Sequence, residues 1–237
     1  NIPILPGGYL VGSVLLVNLI AAHFSRYKPG WKKLGISLIH LGVVVLLVGE
    51  LLSSLFQEDF QMTLDEGETT SYAESIHETE LVVIDTTDPD KNTVLSVPEA
   101  RLGDRGVIQH PSIPFTLEIV AFYENADLFR KTSETPRSAL SATNGLGKNL
   151  IAFEKPKTGK IDERNLVTAF VTVRAKEGPL DTWMVCNAFD EPQQFDYEGH
   201  HYEINLRSKR DYYPFKITLI DFTHDRYPGT NIPKNYY

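Results

Sequence analysis

A single cysteine, Cys186, stands in 237 residues. That excludes an intrachain disulfide and a thiolate zinc site built from this chain alone. No CxxCH occurs, so the chain is not itself a c-type cytochrome. The motifs of common active sites are missing too: there is no GxSxG, HExxH, phosphate-binding loop or GxGxxG. Basic charge is scarce, with 23 Lys and Arg against 31 Asp and Glu, which argues against a nucleic-acid partner. Charge of either sign is absent from residues 1–25 and again from 34–49.

What is present falls into two unlike parts. Averages of 42% hydrophobic and 23% charged residues exclude a collagenous, disordered or wholly membrane-embedded chain. Residues 1–56 nevertheless hold four basic residues (Arg26, Lys28, Lys32, Lys33) and one acid, Glu50, whereas residues 57–237 carry a net charge of −11. A bilayer-crossing helix needs about 20 mostly apolar residues. The runs at about 8–25 and 34–56 supply two such spans, with Pro3 and Pro6 ahead of the first regular turn. The first run is no signal peptide, because its basic residues follow the apolar stretch and no A-x-A site closes it. All four basic residues lie in the short connector, which the positive-inside rule places in the cytoplasm, with Tyr27 and Trp31 at the interface. The acidic part is then extracytoplasmic. The chain begins with Asn, and we read it as processed or as an excerpt of something longer.

Small residues mark faces of the spans where helices can approach closely. Gly8 and Gly12 form a GxxxG, and Gly35, Gly42 and Gly49 recur every seven residues as a packing stripe for the first span or a partner helix. Opposite that stripe sits His40, six residues and about 9 Å into the second span. An ionisable residue at that depth is a functional hypothesis in its own right. Its neutral imidazole either ligates haem iron or bonds a neighbouring helix. His23, near the cytoplasmic end of the first span, either snorkels to the interface or supports a cofactor as a second ligand. Asn18 is expected to make an interhelical hydrogen bond, and Glu50 to be solvated or paired.

From residue 57 the periodicity becomes two. Phe115, Leu117, Ile119, Ala121 and Tyr123 alternate with Thr116, Glu118 and other residues, and Val167, Ala169, Val171 and Val173 alternate with Thr168, Phe170, Thr172 and Arg174. So do Tyr202, Ile204 and Leu206, and then Phe215, Ile217 and Leu219, which predicts strands with one buried face. Shorter candidates are 60–64, 81–85, 94–97, 150–154 and 183–187. Turn signals at Asp65-Glu66-Gly67, Asp88-Pro89-Asp90, Glu177-Gly178-Pro179 and Glu198-Gly199 separate them. The expected fold is a membrane α-helical hairpin followed by an all-β extracytoplasmic domain, a sandwich or open barrel. Residues 131–148 read as a long surface loop. His200 and His201 are adjacent on a strand and point to opposite faces, so they do not form a two-histidine metal site. His77, His110 and His224 are isolated, and Cys186 reads as a small buried apolar residue.

The run from Leu38 through His40 to Gly49 resembles the histidine-bearing span of the ResB (CcsB) family of cytochrome c biogenesis proteins. Gln61-Met62-Thr63-Leu64-Asp65-Glu66-Gly67-Glu68-Thr69 is similar to the opening strand and turn of that family's domain. Phe195-Asp196-Tyr197-Glu198-Gly199 with Tyr202 is similar to its aromatic hairpin. Asp221-Phe222-Thr223-His224-Asp225-Arg226-Tyr227-Pro228-Gly229-Thr230 and Asn231-Ile232-Pro233-Lys234-Asn235 are similar to its closing strand and loop. The matches frame most of the chain; residues 86–180 add little.

The resemblance implies a subunit of system II cytochrome c maturation. It would work with a CcsA-type partner that handles haem, moving haem (b-type, in transit) across the inner membrane to apocytochrome c. It implies that His40 is a haem axial ligand with an opposing ligand from the partner, and it assigns nothing to His23. The family's flanking spans and tryptophan-rich motif are not in this sequence, which reads as clipped at both ends. The chain alone is then an accessory subunit, not a thioether-forming enzyme. Two other readings stay open: a membrane-anchored binding or sensor module without cofactor, and a structural subunit of a respiratory or electron-transfer assembly holding haem between His23 and His40.

Overall fold

The computed structural model describes residues 7–26, 34–133, 135–136, 139–158, 164–230 and 232–236. Pro3, Pro6, Tyr27, Lys28, Trp31, Lys32 and Lys33 lie outside them. The chain divides into two units, Asn1–Glu58 and Asp59–Tyr237.

The first unit is a pair of helices, α1 (Gly8–Arg26) and α2 (Leu34–Phe56), each long and apolar enough to cross a membrane. Partial burial picks out one stripe on each. On α1 it comprises Gly12, Leu16, Leu19, Ile20 and His23; on α2 it comprises Ser37, His40, Val44, Leu47, Val48 and Leu51. Steps of three and four residues keep each stripe on one side of its helix, which is what two helices lying along each other require. The glycine stripe of α2 is not on this seam. A Cβ built at Gly35, Gly42 or Gly49 meets nothing within 4 Å. Asn18 is also exposed, outside the seam, and has no hydrogen-bond partner among the described residues, so the interhelical bond expected of it is not made within the pair.

Among the described residues the second unit is all-β apart from two short helical turns, in the order β1 (Phe60–Gln61), β2 (Thr69–Asp85), β3 (Thr93–Pro98), α3 (Glu99–Gly103), β4 (Val107–Ile108), β5 (Thr116–Tyr123), β6 (Ala126–Arg130), a 3-10 turn (Leu146–Asn149), β7 (Leu150–Glu154), β8 (Thr168–Ala175), β9 (Gly178–Cys186), β10 (Gln193–Tyr197), β11 (His200–Thr218), β12 (His224–Arg226) and β13 (Pro233–Tyr236). One antiparallel sheet runs β1-β2-β11-β10 with β3 also on β2, and a second runs β4-β5-β8-β9. Their inner faces share one core, with Leu81, Val83, Ile204 and Leu206 from the first sheet and Leu117, Val171, Val173 and Val185 from the second. This is a sandwich. The β10–β11 turn needs positive φ at two successive positions, and Glu198 and Gly199 supply them at 50° and 82°.

Two strand expectations and one loop expectation are corrected. β8 is buried on both faces: Ala169, Val171 and Val173 face the sandwich core, whereas Phe170 faces a second cluster with Ala121, Ala142 and Met184. Two threonines beside Phe170 are apolar enough to be covered, so the alternation overstated the polarity of that face. The segment around 142–149 is accordingly not a free surface loop. Gly147 is buried against Met184, and Gln193 ties the segment down by accepting a hydrogen bond from the Leu146 N–H (2.9 Å) while donating to the Met184 carbonyl (2.7 Å). Finally, Phe215 and Ile217 are exposed, on the far half of a β2–β11 ribbon that runs past the sandwich core.

Gly145 carries a testable consequence. Its φ is +73°, and an added Cβ would lie 2.0 Å from Gln193 Oε1 and 2.9 Å from Trp183 Cδ1. Gly145→Ala is expected to destabilise the β domain by about 2–4 kcal/mol, combining backbone strain with overpacking. A chemical-denaturation midpoint unchanged from wild type would contradict this.

Candidate functional site

The two histidines of the helices meet. His23 lies three residues before the end of α1 and His40 six residues after the start of α2, both on the seam and both half-buried. Their ring centroids are 5.9 Å apart with planes at 76°. Phe24 packs edge-on to His23 with centroids 6.2 Å apart. The sequence reading placed His23 by its nearness to Arg26, which suggested snorkelling, and it lacked the register that sets His23 against His40. A usable signal existed: both residues lie within two turns of the connector.

Two imidazoles that bind one metal ion from opposite sides at about 2 Å keep their centroids roughly 6 Å apart. The observed spacing is equally that of an edge-to-face ring contact, and edge to face is how the two planes meet. Neutral imidazole is an established haem ligand, so the donor set fits haem.

No protein-family model matches the chain, and no curated protein matches it.

The remaining candidates resolve into structural roles. His200 Nδ1 lies 2.9 Å from Asp85 Oδ2 on β2, and His201 Nδ1 lies 2.5 Å from Asp196 Oδ1 on β10. The adjacent histidines thus turn to different strands, as alternation requires. His110 pairs with Ser112 at 2.7 Å, His77 lies 3.9 Å from Asp59, and His224 Nε2 accepts from Arg226. Cys186 is fully buried. Among the described residues no three metal-ligating side chains come together. On the β domain one cleft of about 770 Å³ is lined partly by Arg130, Lys131, Asp190 and Glu191, and another of about 500 Å³ by His110, Arg174 and Lys176.

The aromatic hairpin forms a core cluster. Phe195 stacks on Tyr202 (5.4 Å) and lies 5.0 Å from Trp183, while Phe115 meets Tyr202 edge-on at 5.0 Å. Burial raises the hydroxyl pKa of Tyr202, and the Asp85 carboxylate raises it further. Burial pushes the Asp85 carboxyl up as well, but hydrogen bonds from Thr87 and His200 outweigh it and hold the group below its ordinary value of 3.8. A depressed carboxyl stabilises the fold above its unfolded pKa, and that stabilisation is lost as pH falls through the folded value. Asp85→Asn is therefore expected to lower stability at neutral pH, with the gap from wild type closing below about pH 4. A gap that persists into acid would sink the assignment; melting curves across pH decide it.

Proposed function

We propose that the chain is a ResB-like subunit of a system II cytochrome c maturation complex, in which the helical hairpin holds haem through His40 on its way to apocytochrome c. The observation that supports this most is the place of His40, half-buried on the apolar seam of the two helices with the ring of His23 beside it, centroids 5.9 Å apart. The resemblance of residues 38–49 and of both ends of the β domain to the ResB family supplies the biological setting. Bound haem would supply the vinyl groups that the maturation reaction joins to cysteine thiols. The chain's own residues bind and orient it. His40 donates a ring nitrogen, His23 stands beside it as a second ligand or hydrogen-bond partner, and the apolar seam excludes water from the pair.

In this reading a CcsA-type membrane protein is the partner, and the β domain docks or shields its haem site or the incoming apocytochrome. The connector's basic residues put it on the cytoplasmic side of the inner membrane, so the β domain lies outside. A reporter that is active only outside the cytoplasm, fused after Tyr237, is expected to be active, and one fused within the connector silent. The reverse pattern would overturn the orientation. Haem itself is tested by the visible spectrum of the protein purified with its native neighbours, where a Soret band is expected.

A second reading follows from the same pair. If both ligands belong to this chain, it is a haem-holding subunit of an electron-transfer assembly. Haem retained by the isolated chain separates the two.

A further inference from the structure

At the end of the hairpin away from the histidines, α1 and α2 flank a half-open cavity of about 420 Å³. That is within the range of small-molecule sites, roughly 300–1,000 Å³. We propose that this cavity binds a membrane quinol, with a ring hydroxyl donating a hydrogen bond to Glu50.

Three features specify the occupant. The first is its floor. Gly8 and Gly12 line the cavity, and a Cβ built on either meets nothing within 4 Å. Gly12 lies on the seam and Gly8 outside it, and without side chains the two leave a slot in which a flat ring can lie. The second is the walls. Leu16, Leu47 and Leu51 are apolar, and in a bilayer the cavity fills from the lipid phase, so the occupant has an apolar body. The third is Glu50, which lines the cavity and is the single acid of the two helices. It has no hydrogen-bond or ion-pair partner among the described residues. Glu50 is exposed at the open side of the cavity, and within a bilayer an unpartnered carboxyl group there is costly until a donor satisfies it.

Depth then selects among lipid-soluble donors. The rim is marked by a hydrogen bond between the Tyr9 hydroxyl and Ser54 Oγ. Glu50 lies four residues before Ser54, about 6 Å further in along the helix. The ammonium of an ethanolamine phospholipid stays near the rim with its phosphate, whereas a quinol carries its hydroxyls on a ring that enters the slot. Ser13, also in the lining, supplies a second hydroxyl for the ring's other oxygen.

The experiment uses the full chain in phosphatidylcholine nanodiscs, with a diazirine-bearing short-chain ubiquinol as probe and decylubiquinol as competitor. Saturable labelling of α1 and α2 peptides, displaced by decylubiquinol, is expected. Gly12→Leu fills the slot and Glu50→Leu removes the acceptor, and each is expected to cut labelling about tenfold; Glu50→Gln, which keeps a carbonyl acceptor, retains part of it. Circular dichroism checks that helix content is preserved. Should Gly12→Leu fail that check, the Glu50→Leu and Glu50→Gln comparison decides alone. Labelling that does not saturate, that is equal in wild type and the Glu50 variants, or that yields to phosphatidylethanolamine but not to decylubiquinol overturns the proposal.

Discussion

His40→Ala is expected to abolish haem that co-purifies with the native complex, with a drop in the Soret band of about tenfold or more. On the proposed function the lost contribution would be an iron–imidazole bond, for which water is a poor replacement in an apolar surrounding. Imidazole added to the medium is expected to restore absorbance, because the cavity left by the side chain admits the free ligand. Rescue would not follow if the substitution had only loosened packing. His23→Ala sorts the two readings. Under maturation with the opposing ligand on a CcsA-type partner, it weakens haem binding by a few-fold, through lost support of the His40 ring. Under ligation within this chain, it removes haem as completely as His40→Ala does, and the isolated wild-type chain retains haem without partners. Haem content indifferent to His40 would remove the basis of both.

Phe170→Ala is expected to have the largest effect on stability in the β domain. The side chain is fully buried and packs against Ala121, Ala142 and Met184 beneath the segment around 142–149. Truncating a buried Phe to Ala costs about 3–5 kcal/mol, from lost transfer energy plus the cavity left behind. For a domain of this size that lowers the melting temperature by roughly 10 °C or more. Val107→Ala is the control, because Val107 is 61% exposed and on β4, and its effect should stay within about 0.5 kcal/mol. Equal shifts for the two would mean that the second cluster contributes nothing.

The sequence was most legible where a single physical requirement acts on many residues at once. Two long apolar stretches, with Glu50 the single acid in them, become α1 and α2, each long and apolar enough to cross a membrane. Tyr202, Ile204 and Leu206 alternate because one face of β11 is covered. Legibility failed where tertiary partners decide. β2 extends back to Thr69, twelve residues before the apolar run that announced it, because β11 pairs with it along that length and Arg207, Lys209 and Arg210 meet Glu80, Glu78 and Glu74 across the ribbon. Polar side chains in cross-strand pairs leave no hydrophobic period to read. Phe122 joins the core because a register irregularity between Ile119 and Ala121 shifts the face of β5. The histidine pair was half legible. His40 was conspicuous by depth, but His23 became meaningful only through its contact with His40.

The ribbon also bears on how the protein keeps to itself. β10 accompanies β11 only as far as Ile204, and among the described residues no strand lies along that margin afterwards. A long bare margin of amides and carbonyls is a template on which another polypeptide can crystallise into fibre. Here the template is spoiled twice. Pro214 contributes no N–H, and the register jumps between Ser208 and Arg210 and again between Tyr212 and Ile217. An intruding strand could therefore zip along only a few residues before losing step. The longest strand among the described residues thus offers an added strand a poor template.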